Sequence, residues 1–155
     1  MDVAVLQQML DEVEDNAVVH HGYTSYMRDY EIIVYVGVDP QSNEPAHLRY
    51  LFRYCVDARC VTSVVAPTWR MSLDDRLIDY ETGVDLDGFV WGVKWANLTC
   101  SQVLLESEAA GQWSRAVGID FHEVLVDTNA HSLTLIFSDL RISEVPIGYA
   151  PFVTD

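Results

Sequence analysis

The chain has 155 residues, 50% of them hydrophobic, and 24 acids against 9 bases give it a formal net charge of -15. That composition excludes a disordered chain, and the length suffices for one hydrophobic core. So much negative charge repels phosphate backbones, which excludes nucleic acid as a partner, and no apolar run reaches the roughly 18 residues of a membrane helix.

The first segment, "MDVAVLQQMLDEVEDN", holds Asp2 and no Lys or Arg. It does not fit a secretory signal, so the expected compartment is the cytoplasm. Residues 3 to 15 predict an amphipathic helix: Val3, Leu6, Leu10 and Val13 recur at helical spacing, with Met9 beside them. Residues 16 to 30 are less regular. Within them begins "HHGYTSYMRDYE" (20 to 31), which crowds two histidines, three tyrosines, an arginine and two acids into one stretch. It reads better as a polar lead-in to a strand than as a metal or catalytic site. "EIIVYVGV" (31 to 38) is that strand, and because neither of its faces is polar it is expected to be central. The loop "DPQSNEP" follows.

"HLRYLFRYCV" (47 to 56) alternates as a strand, and "CVTSVVA" (60 to 66) is expected to return beside it. A two-residue turn at Asp57 and Ala58 would set Cys55 opposite Cys60, close enough for a labile disulfide. Ala resists the positive φ of such a turn, and three cysteines (Cys55, Cys60, Cys100) make no disulfide framework, so reduced thiols are the plainer expectation. Ser72 and Asp75 form a capping box for a helix that ends near Gly83. Residues 88 to 99 read as a strand with Trp91, Val93 and Trp95 on one face. Ser107 caps a short helix that Gly118 closes. "DFHEVLVDT" and "HSLTLIFSDLRISEV" form a hairpin, with Asn129 supplying a left-handed residue.

The element order is α, β, β, β, α, β, α, β, β. It predicts an α+β fold: one globular domain over residues 1 to 155, with a single mostly antiparallel β-sheet and about three helices packed on it. No internal repeat or linker is visible.

Several long segments together, "HHGYTSYMRDYE", "LRYLFRYC", "SLDDRLIDYETGVDLDGFVWGVKW", "GIDFHEV" and "HSLTLIFSDL", resemble the YxiG-like family of bacterial proteins. The resemblance runs from about residue 10 to residue 153 and brings no activity or residue roles with it. The family name comes from a genome neighbourhood of toxin and immunity genes. By association alone, that implies a protein that binds a toxin.

The residues themselves offer two candidate sites. Asp74, Asp75, Asp79, Asp85 and Asp87 crowd one stretch, near Trp91 and Trp95. Carboxylates steer a basic surface and tryptophan anchors a desolvated centre, so these seven are the candidate partner-binding residues. Their ordinary role would be a solvated helix face and core packing. A metal reading instead gathers His20, His21, His122 and His131 with an aspartate round a divalent ion that activates water. None of these histidines sits at a metal-ligand spacing, and no nucleophile elbow or phosphate loop is present. The favoured expectation is a small acidic non-catalytic protein-binding module without a cofactor, such as an immunity-type inhibitor of a basic partner. The alternatives are a metal-dependent hydrolase and a structural homodimer.

Overall fold

A computed structural model describes residues 1–38, 41, 45–71, 96–146 and 149. Among the described residues three helices, α1 (Val3–Asp11), α2 (Ala66–Met71) and α3 (Glu108–Val117), accompany eight strands. The strands are β1 (Ala17–Tyr23), β2 (Tyr30–Val38), β3 (Pro45–Arg53), β4 (Asp57–Thr62), β5 (Ala96–Leu104), β6 (His122–Thr128), β7 (His131–Phe137) and β8 (Asp139–Val145). They form one antiparallel sheet in the order β4-β7-β6-β5-β1-β2-β3-β8. Only α1 and α3 pack substantially on that sheet among the described residues, two helices where about three were expected; α2 is a six-residue turn. No described helix is long and apolar enough to cross a membrane.

The strand order requires the sheet to fold back on itself. β3 and β4 stand six strand spacings apart, about 29 Å if the sheet were flat, yet three residues link them and reach at most about 14 Å. A single residue, Ser138, links β7 to β8 across the same span. β3 and β4 therefore make one bent strand, and β7 and β8 another. The two run antiparallel as a ribbon that leaves one leaf of the sheet and enters the other. Side chains from both leaves meet in one core: Tyr30, Ile32, Tyr50 and Phe52 face Val124, Val126, Leu135 and Phe137, with the Phe52 and Phe137 rings 4.8 Å apart edge to face.

This corner replaces the hairpin that the sequence suggested. Asp57 and Ala58 are strand residues paired with Ile136 and Leu135, and β4 never touches β3 as a neighbour. Cys55 and Cys60 lie along one extended chain, roughly 16 Å apart by strand rise, and both are free thiols. The bend is made by an extra residue. Four steps take the chain from Arg53 to Asp57, whereas three take the facing strand from Ile136 to Asp139. Tyr54 absorbs the difference at φ 52, a conformation that costs a non-glycine residue about 1 kcal/mol.

The loop between β1 and β2 clamps that bend. Buried Asp29 accepts the Tyr54 amide at 3.0 Å, and the Cys55 amide donates to the Arg28 carbonyl at 2.8 Å. The Arg28 guanidinium lies 4.5 Å from the Tyr26 ring and 4.2 Å from the Tyr54 ring, and also pairs with Asp29 at 3.4 Å. Arg53, held by Asp139 at 3.2 Å, lies 5.1 Å from the same Tyr54 ring.

The pairing also has an approximate two-fold that no repeat in the sequence announces. β1 to β4 and β5 to β8 follow the same path, and each set lends its last strand to the other: β4 pairs with β7, and β8 with β3. β1 meets β5 at the axis through Ala17–Asn97 and Val18–Ala96, supported by the Leu98 amide on the Asn16 carbonyl. Each of these two strands carries a bulge one residue past its buried apolar residue, between Val18 and His20 and between Leu98 and Cys100. Beyond the axis the strands diverge, and α1 fills the gap. Gln7 acts there as a peptide group would: its amide donates to the Ser101 carbonyl at 2.8 Å and accepts the Val103 amide at 2.8 Å.

Both longer helices carry their caps in their sequences. Asp2 accepts the Ala4 and Val5 amides of α1. The helix stops at Asp11 rather than continuing to residue 15, and Val13 reaches the core through the turn that follows while Val3 stays exposed. Ser107 caps α3 through the Ala110 amide and donates to Glu123, and Gly118 ends the helix at φ 83. Ala110 is the buried residue of α3, whereas Trp113 and Val117 face out. In the β6–β7 hairpin, Thr128 Oγ1 accepts the Ala130 and His131 amides; Asn129 takes no left-handed conformation.

Two substitutions test this packing by urea denaturation. Asp29→Ala strands the Tyr54 amide at the bend and is expected to cost about 2 kcal/mol; an unchanged midpoint would remove the clamp. Ser101 is buried with its hydroxyl unpartnered against apolar neighbours, so Ser101→Ala is expected to gain about 1 kcal/mol.

Candidate functional site

The bulge after Val18 decides which histidine faces which way. It sets His21 opposite Ile32 on the inner face and His20 opposite Ile33 on the outer face, so the adjacent pair is split. His21 Nδ1 lies 2.7 Å from the Tyr30 hydroxyl, which leaves Nε2 as the nitrogen able to meet a ligand. The His131 ring, at the start of β7, stands 6.4 Å from the His21 ring. The two histidines border a cavity shared with Val18, Ile32, Val126, Thr128 and Leu133, with room for about one water molecule. Burial holds the His21 imidazole below its usual range, and the neighbouring His20 and His131 push the same way.

His122 does not join this pair. It faces inward beside Phe137 at the other end of β6, about 20 Å along the hairpin from His131. Its Nε2 is buried without a partner. His20 is on the outer face, and His47 is buried on that face against Tyr35 at 5.7 Å. Of the four histidines proposed as ligands, the fold brings two together. No group of three or more His, Cys, Asp or Glu side chains is placed to hold a metal among the described residues.

The Cys55 thiol is pushed up to about 11, chiefly by burial, so it remains protonated and unreactive near neutrality. Cys60 and Cys100 are exposed free thiols. On the outer face, buried Glu31 accepts the Tyr149 hydroxyl at 3.0 Å, and Arg49 donates to that hydroxyl at 2.7 Å. Sequence reasoning did not find this cluster. Its one signal was a glutamate opening a strand that is apolar on both faces.

The seven partner-binding candidates, Asp74, Asp75, Asp79, Asp85, Asp87, Trp91 and Trp95, lie outside the described residues, as does the capped helix from Ser72. A different acidic feature is described. Asp11, Glu12, Glu14 and Asp15 are all exposed, and Val13 between them is buried at 2% exposure. The segment is fixed to the sheet by two bonds: the Asp15 amide donates to the Leu98 carbonyl at 2.8 Å and the Leu98 amide to the Asn16 carbonyl at 2.9 Å. None of these four acids forms an ion pair with a base among the described residues. The result is four carboxylates on a rigid tip.

The histidines set a pH dependence. His20, His21, His47 and His122 are all held below their usual range by burial. The unfolded chain then binds more protons than the folded one, so stability is fullest above about pH 6.5 and falls as the pH drops below it. Urea midpoints measured between pH 7.5 and pH 5 are expected to decline, and to decline less steeply in His21→Asn. A midpoint independent of pH over that window would exclude neutral buried imidazoles.

Comparison with known proteins agrees with the resemblance carried by the long motifs. No curated protein matches the chain. The family model for YxiG-like protein matches residues 2–155, essentially the whole sequence, and the chain therefore belongs to the YxiG-like family.

Proposed function

We propose that this protein is a non-catalytic protein-binding module for a partner with a basic surface, in the manner of an immunity-type inhibitor. The observation that supports it is the tip at Asp11–Asp15, where four exposed carboxylates are held rigid by a buried valine and two backbone bonds into the sheet. Preorganised charge loses little entropy on docking, and a chain of net charge -15 steers a basic protein from a distance. Asp74, Asp75, Asp79, Asp85 and Asp87, with Trp91 and Trp95 as aromatic anchors, are the further partner-binding residues of this proposal.

Immobilised protein tests it against a cell extract, beside a variant with Asp11, Glu12, Glu14 and Asp15 changed to the amides. A basic protein is expected to bind the parent, to elute as salt rises, and to bind the variant about tenfold more weakly. Equal binding to both would take the tip out of the interface. Retention of no basic protein at low salt would end the proposal.

One observation favours a second reading, a metal-dependent hydrolase. His21 and His131 approach each other from different strands with a hydroxyl orienting one ring, as outer partners orient metal-bound histidines. Under that reading zinc binds at one equivalent and His131→Ala abolishes it. Calorimetry showing no zinc uptake by the parent excludes it.

A further inference from the structure

Charge around the bend runs against the sign of the whole chain. A continuous row of side chains crosses it: the Tyr26 ring, the Arg28 guanidinium, the Tyr54 ring, the Arg53 guanidinium, Asp139 and Arg141. Asp139 Oδ2 accepts from Arg53 Nη1 at 3.2 Å and from Arg141 Nε at 3.3 Å, so one carboxylate serves two guanidiniums. The second acid of the row, Asp29, is buried and also accepts the Tyr54 amide. Among the described residues three guanidiniums thus meet two carboxylates here, on a chain of net charge -15. At Arg59 the balance is reversed, one guanidinium meeting both Asp57 and Glu123.

The row is accessible and held in place. The Arg28 side chain is 42% exposed, that of Arg141 65%, and Tyr26 64%. Arg28 lies against two rings and Arg53 against one, so both are ordered before any ligand arrives. The charges are also spread out. Arg28 joins the sheet at the level of Cys55 and Arg141 at that of Leu51, about 13 Å apart by strand rise.

We infer that this row binds the carboxylates of a short polyacid, either a free polycarboxylic acid or an acidic peptide. Planar guanidinium forks match carboxylates in pairs, and forks already stacked on tyrosines lose little entropy on binding. A row of separated cations suits charge distributed along a molecule better than one compact ion. The negative field of the whole chain turns away long polyanions, which keeps the ligand short. No residue of the acidic tip takes part, so this site stands apart from the partner surface proposed above.

An NMR titration of the isotope-labelled full chain with citrate tests this, in metal-free buffer at constant ionic strength. Saturable shifts are expected at the amides of Arg28, Tyr54 and Arg141. Arg141→Gln, a substitution at an exposed side chain, is expected to weaken binding about fivefold with an unchanged circular dichroism spectrum, and Arg141→Lys to fall between. An acetylated triglutamate peptide separates the two sources: tighter binding of citrate assigns a free polycarboxylic acid, and tighter binding of the peptide an acidic segment. Inorganic phosphate at the same ionic strength is expected to bind more weakly than either, and tighter binding of phosphate overturns the carboxylate assignment. Absence of saturable shifts with both citrate and the peptide overturns the site. So does equal affinity in Arg141→Gln, since the ligand would then sit elsewhere.

Discussion

The bend at Tyr54 is the constraint on which the rest of the fold depends. A flat sheet cannot hold β3 and β4 six positions apart with three residues between them. The extra residue turns the ribbon, the turn brings the two leaves face to face, and only then do Phe52 and Phe137 share a core. The strain at Tyr54 is sustained because its amide, its ring and the next amide are all engaged by Arg28 and Asp29. The polar stretch that opens at His20 is thus explained from its far end. Its arginine and aspartate hold the corner, its Tyr26 lies against the arginine, and its first residues finish a strand.

Local signals were legible where one residue type has one physical use. Ser107 and Gly118 bracket α3 as capping chemistry predicts, and the apolar run that opens at Glu31 is central, with Ile32 and Val34 buried on one face and Ile33 on the other. Non-local arrangement was not legible. An open bend and a tight hairpin both need a break near Asp57, and only the partner strand β7 distinguishes them. The same limit hid β1, whose bulge spoils the alternation that would have marked it as a strand. It also hid the two-fold, which is preserved in register and not in residue identity. For the candidate site, the histidine types were visible but their grouping was not. One bulged residue sends His20 and His21 to opposite faces, and the strand direction separates His122 from His131.

Gln7 shows how the fold tolerates its own seam. β1 and β5 pair over two residues and then part. The peptide groups exposed there would be costly to bury unpaired, and one side-chain amide on α1 supplies both a donor and an acceptor in the geometry of a missing strand. The helix is therefore attached by directional bonds as well as by Leu6 and Leu10, which fixes the orientation of the acidic tip beyond its end.

The exchange of last strands between the two halves has a consequence for biosynthesis. β3 cannot complete its pairing until β8 exists, and β7 accepts β4, which was made long before it. A growing chain holding only the first half thus carries β4 without a partner and β3 with one side open, so folding on the ribosome is deferred until nearly all of the described strands have emerged. Over that interval the uncharged stretch from Cys60 to Ala66 has no strand beside it, and is a segment for a chaperone to cover.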